Sequence, residues 1–172
     1  MTTPAEITIY DEIEARAGNI NQTGGYHTTV QDIERSRLKP FIEGDWPKFS
    51  FWPVRAPQED TDYGDEQHTM TIILGYFDKT SDEPFADLAA RLKADVVTAM
   101  HRQTTYDALT GQGPNVAHNA DYDLGGLVQA FTVISTEFVL NEGQAPYCGV
   151  LVECDVKYRS PMGDPFTIDN GA

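Results

Sequence analysis

Between Cys148 and Tyr158 every second residue is apolar or aromatic: Cys148, Val150, Val152, Cys154, Val156 and Tyr158, with Glu153, Asp155 and Lys157 among the residues between them. Successive side chains of a strand point to opposite faces, so this pattern predicts a β-strand with one buried and one wetted face. A sheet that is wet on one side must be covered on the other, by helices or by a second sheet.

The covering helices are legible. Phe85, Leu88, Leu92, Val96, Ala99 and Met100 advance by three and four along one face, while Arg91, Lys93, Asp95 and Arg102 fall off that stripe. This predicts a helix over 83–103, capped by Ser81 or Asp82, with Pro84 in its first turn. Ile9, Ile13, Ala17 and Ile20 form a second stripe. Its helix is expected over 4–18, with Thr3 as cap, Pro4 in the first turn, Glu6 as the capping-box carboxylate and Gly18-Asn19 as the stop.

Further strands are expected over 26–36, from the alternation of Tyr26, Thr28 and Val30 after the Gly24-Gly25 turn, and over 48–54. Pro53 marks the latter as an edge or a strand end. His68–Phe77 reads as another strand and Leu127–Leu140 as a fourth, joined to the last by a turn over 141–146. Residues 55–67 read as an acidic hairpin loop and 104–126 as a long loop, and 160–172 as a flexible C-terminal tail. The fold class is therefore α+β: a mostly antiparallel sheet of about five strands with two main helices on one face, in the order α-β-β-β-α-β-β. The 172 residues suit a single domain, and a chain of that size needs neither disulfide nor metal to fold.

Twelve Lys plus Arg stand against 27 Asp plus Glu, a formal charge of −15. That balance disfavours specific nucleic-acid binding and docking on anionic membranes. It suits contact with basic protein surfaces, or a path along which DNA must not stick. Cys148 and Cys154, six strand steps and so roughly 20 Å apart, are beyond disulfide reach and read as buried free thiols of a reducing compartment. The segment Met1–Glu6 does not read as a signal peptide, and no stretch is apolar enough to span a membrane.

Motifs for chemistry are sparse. Gly111-Gln112-Gly113 is a bare turn rather than a phosphate cradle. His27, His68, His101 and His118 share no metal-ligand spacing. The acidic run Asp60, Asp62, Asp65, Glu66 departs from the calcium-loop order, with its Gly one position early and Thr71 where the late Glu belongs. The two thiols have no basic neighbour to activate them. The expectation is a non-enzyme with no catalytic, cofactor or metal residues. Trp46, Trp52, Tyr63, Tyr106 and Tyr122, near the second strand and in the long loops, are the candidate interface residues. A ligand site among His68, Asp65 and the 104–126 loop is the competing expectation.

The early helix with Ile9-Tyr10-Asp11-Glu12-Ile13, the later helix after three strands, Leu124-Gly125-Gly126 before a long strand, and the ending Val156-Lys157-Tyr158-Arg159-Ser160-Pro161-Met162-Gly163-Asp164-Pro165-Phe166 are together distinctive. In element order and size, over nearly the whole chain, this resembles the tail terminator (tail completion) proteins of tailed double-stranded-DNA bacteriophages. The resemblance implies a hexameric ring that caps the tail tube, stops its growth and presents a surface to neck or head-completion proteins. It implies as partners further copies of the chain, the tail tube protein, the neck proteins and, in a contractile tail, the sheath. The location would be the virion, and the host cytoplasm during assembly. A head–tail stopper or adaptor is the neighbouring alternative. For ring closure the strand at 48–54 and the face of the 83–103 helix are the candidate surfaces.

Overall fold

The computed structural model describes residues 3–35, 45–56, 58–60, 64–79, 83–101, 123–142 and 146–169. In chain order the elements are α1 (Ala5–Gly18), β1 (Asp32–Glu34), β2 (Lys48–Arg55), β3 (Gln58–Asp60), β4 (Asp65–Lys79), α2 (Phe85–His101), β5 (Ala130–Asn141) and β6 (Tyr147–Pro161). They form one sheet in the order β1-β2-β4-β6-β5, with β3 also paired to β4. Every pairing is antiparallel except that of β1 with β2. The α+β class, the two helices and the largely antiparallel sheet are as the sequence predicts.

The alternation of β6 organises the sheet. Cys148, Val150, Val152, Cys154 and Val156 are fully buried, as are Met70, Ile72, Leu74 and Tyr76 beside them on β4. Phe49 and Phe51 of β2 extend this face, and Ile9, Ile13 and Ala17 of α1 with Leu92, Val96 and Met100 of α2 close over it. On the opposite face the Phe77 ring lies across Gly75 and Gly149. A Cβ at Gly149 would stand 2.2 Å from Phe77 Cδ1 and 2.7 Å from the Tyr76 carbonyl oxygen.

Two buried polar groups tie the layers together. The Asp95 carboxylate of α2, 2% exposed, accepts from the backbone N–H groups of His27 (2.8 Å) and Thr28 (2.9 Å) and from the Thr28 hydroxyl (2.5 Å). With its one proton given to Asp95, the Thr28 hydroxyl accepts from Tyr76 of β4 at 2.7 Å. Arg16 of α1, 1% exposed, pairs with Glu12 and donates to the Met100 carbonyl near the end of α2 at 2.6 Å.

Four sequence expectations are corrected. The strand expected over 26–36 is only Asp32–Glu34. The chain bends at His27 and Thr28, whose N–H groups go to the Asp95 carboxylate rather than to a neighbouring strand. The acidic loop over 55–67 is partly sheet, because β4 begins at Asp65 and β3 pairs with Glu66–His68, leaving a turn at Gly64 with φ +81°. The capping box of α1 does not form: its cap is Pro4, which makes no side-chain bond, and the Ala5 N–H donates instead to the Pro165 carbonyl at 2.9 Å. The segment expected to trail is held by that bond and by Met162 N–H to Gly64 (2.9 Å) and Asp169 N–H to Arg159 (2.8 Å). Ser81, Asp82, His118, Gly111-Gln112-Gly113, most of the 104–126 loop and residues 170–172 lie outside the described residues.

Asp95→Ala leaves the buried Thr28 N–H and hydroxyl and the part-buried His27 N–H without their acceptor and should lower unfolding stability by about 3 kcal/mol in urea titration. Gly149→Ala forces the Phe77 ring aside and should cost about 2 kcal/mol by the same measurement.

Candidate functional site

At the end of the sheet where β4 begins and β6 finishes, a cleft of about 460 Å³ opens beside the start of α1. Pro4, Ala5, Ala56, Gly163 and Pro165 give it apolar walls, and Glu6, Glu66, His68, Tyr158 and Ser160 supply polar groups. The register explains the convergence. Glu66 and His68 stand two apart on β4, directly opposite Ser160 and Tyr158 of β6, so all four side chains share the helix-side face.

Each group is held by its neighbours. The His68 ring stacks on Tyr158, with centroids 4.7 Å apart and planes 13° apart. His68 Nε2 is 2.8 Å from Ser160 Oγ and 3.8 Å from Glu66 Oε2. Glu66 Oε1 accepts from the Gly163 N–H at 3.2 Å, and Glu6 accepts from the Tyr158 hydroxyl at 3.4 Å. Burial pushes the Tyr158 phenol up, and the nearby Glu6 carboxylate adds to the shift.

Serine, imidazole and carboxylate are thus adjacent, but not in the relation that activates a nucleophile. An orienting carboxylate bonds the ring nitrogen opposite the one facing the hydroxyl. Here Glu66 approaches the same nitrogen as Ser160, and Ser160 is 2% exposed. The hydroxyl fixes the ring and walls the cleft. Among the described residues no group of three or more His, Cys, Asp or Glu is placed to hold a metal ion.

The interface candidates separate. Trp46 packs back on its own domain: it stacks on Tyr147 at 5.9 Å, with Lys48 Nζ and Lys79 Nζ about 6 Å from its ring (5.9 and 6.0 Å). Trp52 is half-buried on β2, opposite Ile73 on the face away from the helices. Tyr63, Tyr106 and Tyr122 lie outside the described residues. Strand 48–54 is not an edge over its first three residues, which pair with β1 as well as β4. The 83–103 helix turns its apolar stripe inward onto the sheet, so that stripe is core.

Among the described residues the long free edge is β5, which pairs only with β6. Ile134, Phe138 and Leu140 on it are 53%, 50% and 44% exposed. Its twelve residues carry a single charge, Glu137. Sequence reading missed both the edge and the cleft. Glu66 and His68 share one face of a strand by their spacing, as do Tyr158 and Ser160, but nothing in the sequence pairs the two strands.

Cys148 and Cys154 are buried free thiols on the core face. Burial, with Asp78 and Glu83 near the first and Asp155 and Glu153 near the second, pushes them from 9.0 to about 11 and about 12. A raised folded pKa keeps its stabilising contribution below the ordinary value and loses it as pH climbs through the folded one. Stability should therefore fall between pH 9 and 12, with Cys154 alone accounting for about 2 kcal/mol by pH 10.5. Urea midpoints at pH 8 and 10.5 test this, and Cys154→Val should shrink the difference. No helix among the described residues is long and apolar enough to cross a membrane. The chain matches no protein-family model and no curated protein.

Proposed function

We propose that this chain is a ring-forming structural protein of the tail-terminator kind: it closes a ring on the end of a phage tail tube, stops tube growth and gives neck or head-completion proteins a surface to attach to. The observation that carries this reading is the β5 edge, twelve residues long with one charge and three half-exposed large apolar side chains. An edge of that kind is a template for another chain. In a molecule of formal charge −15, a strand with a single charge lets two copies approach there with little repulsion. The element order adds support, and the acidic balance suits a channel through which DNA slides. On this reading the protein resides in the virion and assembles in the host cytoplasm.

A ligand-binding domain is the second reading, favoured by the cleft with its converging His68, Glu6, Glu66 and Tyr158. Light scattering behind size exclusion, over a concentration series, separates the two. The ring reading expects a species of six times 19.1 kDa, in solution or on purified tail tubes, with electron micrographs showing tube ends capped and growth arrested. A monomer that also ignores tube ends would sink it and leave the cleft as the functional feature.

A further inference from the structure

α1 carries four acidic side chains, and three of them are paired with arginine. Arg35 takes Asp11 and Glu14, and Arg16 takes Glu12. The fourth, Glu6, lines the cleft, and none of the described residues lining it is a lysine or an arginine. Glu66 enters the same cleft from β4, also without a lysine or arginine partner among the described residues. Both carboxylates are underfilled as acceptors. An ionised carboxylate offers about four lone-pair positions. Glu66 accepts the Gly163 N–H at 3.2 Å, and its other oxygen stands 3.8 Å from His68 Nε2, beyond hydrogen-bond range. Glu6 accepts the Tyr158 hydroxyl at a long 3.4 Å. Asp95, by contrast, accepts three bonds of 2.9 Å or less. Two half-buried carboxylates with one weak bond each retain acceptor capacity, and a cationic donor fills it most favourably.

The rest of the lining suits the body of such a ligand. The His68–Tyr158 stack links the two carboxylates, with Glu66 at the imidazole and Glu6 at the phenol. Pro4, Ala5, Ala56 and Pro165 supply apolar walls for an aliphatic stem. Neither the imidazole nor the helix end turns the cleft toward anions. His68 Nε2 is engaged by Ser160 at 2.8 Å, and the Ala5 N–H at the start of α1 is given to the Pro165 carbonyl. Glu6 itself sits in that first turn, where its charge offsets the positive end of the helix dipole.

We infer that the cleft binds a positively charged nitrogen group on an aliphatic stem, a guanidinium or an alkylammonium, with Glu6 and Glu66 as its counter-charges. This names the ligand class for the cleft and rests on the cleft being a binding site, not on ring closure. Ring closure is read by mass and the cleft by titration, so either fails without the other.

The test is calorimetric titration of the full chain at low ionic strength. The probe is N-acetyl-argininamide, whose planar fork of five donors can meet two carboxylates at once. Saturable one-to-one binding is expected. N-acetyl-citrullinamide, which keeps the shape and loses the charge, should not bind. Glu6→Gln and Glu66→Gln keep the size of the side chain and remove its charge, and each should weaken binding about tenfold. Glu137→Gln removes the same charge from β5, outside the cleft, and should leave the affinity unchanged. Circular dichroism with thermal melting checks that every variant keeps the fold, and the two cleft variants, on different elements, serve as independent arms. Butylguanidinium separates the sources of the cation. Tighter binding of the argininamide, with its flanking peptide groups, assigns the cleft to an arginine side chain of a partner protein; equal or tighter binding of butylguanidinium assigns it to a free small cation. The inference is overturned if no saturable binding occurs, if the citrullinamide binds as well as the argininamide, or if neither cleft variant weakens binding. It is equally overturned if Glu137→Gln weakens binding as much as they do, since the attraction would then belong to the acidic surface as a whole.

Discussion

The Asp95 carboxylate is the interaction on which the arrangement of layers depends. It sits inside the protein on α2 and takes three hydrogen bonds from two consecutive residues of the segment after α1. Burying a carboxylate is costly unless its lone pairs are filled, and here two backbone donors and a hydroxyl fill them. Through Thr28 the chain of bonds continues to Tyr76 on β4. One carboxylate thereby fixes α2, the connection out of α1 and an inner strand of the sheet in a single relation. Arg16 does the same between the helices, since its guanidinium reaches the Met100 carbonyl near the end of α2.

The sheet itself is held by apolar alternation. β6 runs between β4 and β5, and its even-numbered residues from Cys148 to Val156 are all fully buried. On the other face the environment is mixed. Arg55 donates to Thr71, and Thr71 to Asp155, across three strands, while Phe77 occupies the space left by two glycines. Gly75 and Gly149 therefore sit where a side chain of any size would displace an aromatic ring.

Most of the architecture was legible because periodicity reports burial. The α2 stripe and the β6 alternation located those elements to within a few residues, as each has a face in the core. What periodicity could not convey was the partner. Tyr26, Thr28 and Val30 alternate like a strand, yet their segment is pinned by a side chain rather than a neighbouring strand. The acidic residues 58–60 resemble a loop, yet pair with β4. The cleft was illegible for the same reason. His68 and Ser160 are 92 positions apart, and only the β4–β6 register brings them together. The sequence sets His68 near Asp65, but its neighbours in the fold are Tyr158, Ser160 and Glu66.

The place of β6 has a consequence for biosynthesis. It follows every other described strand yet occupies the interior of the sheet, between β4 and β5. Translation releases its neighbours first, so while β6 is still in the ribosomal tunnel both have an open apolar flank. The bond that completes the first turn of α1 waits as well, for it comes from Pro165. Long-range pairings of this kind carry the slow loop-closure cost of folding and leave strand edges open until they form. Until the last of these strands enters, β4 and β5 have no contact through the sheet, and the strand order alone makes them wait for it.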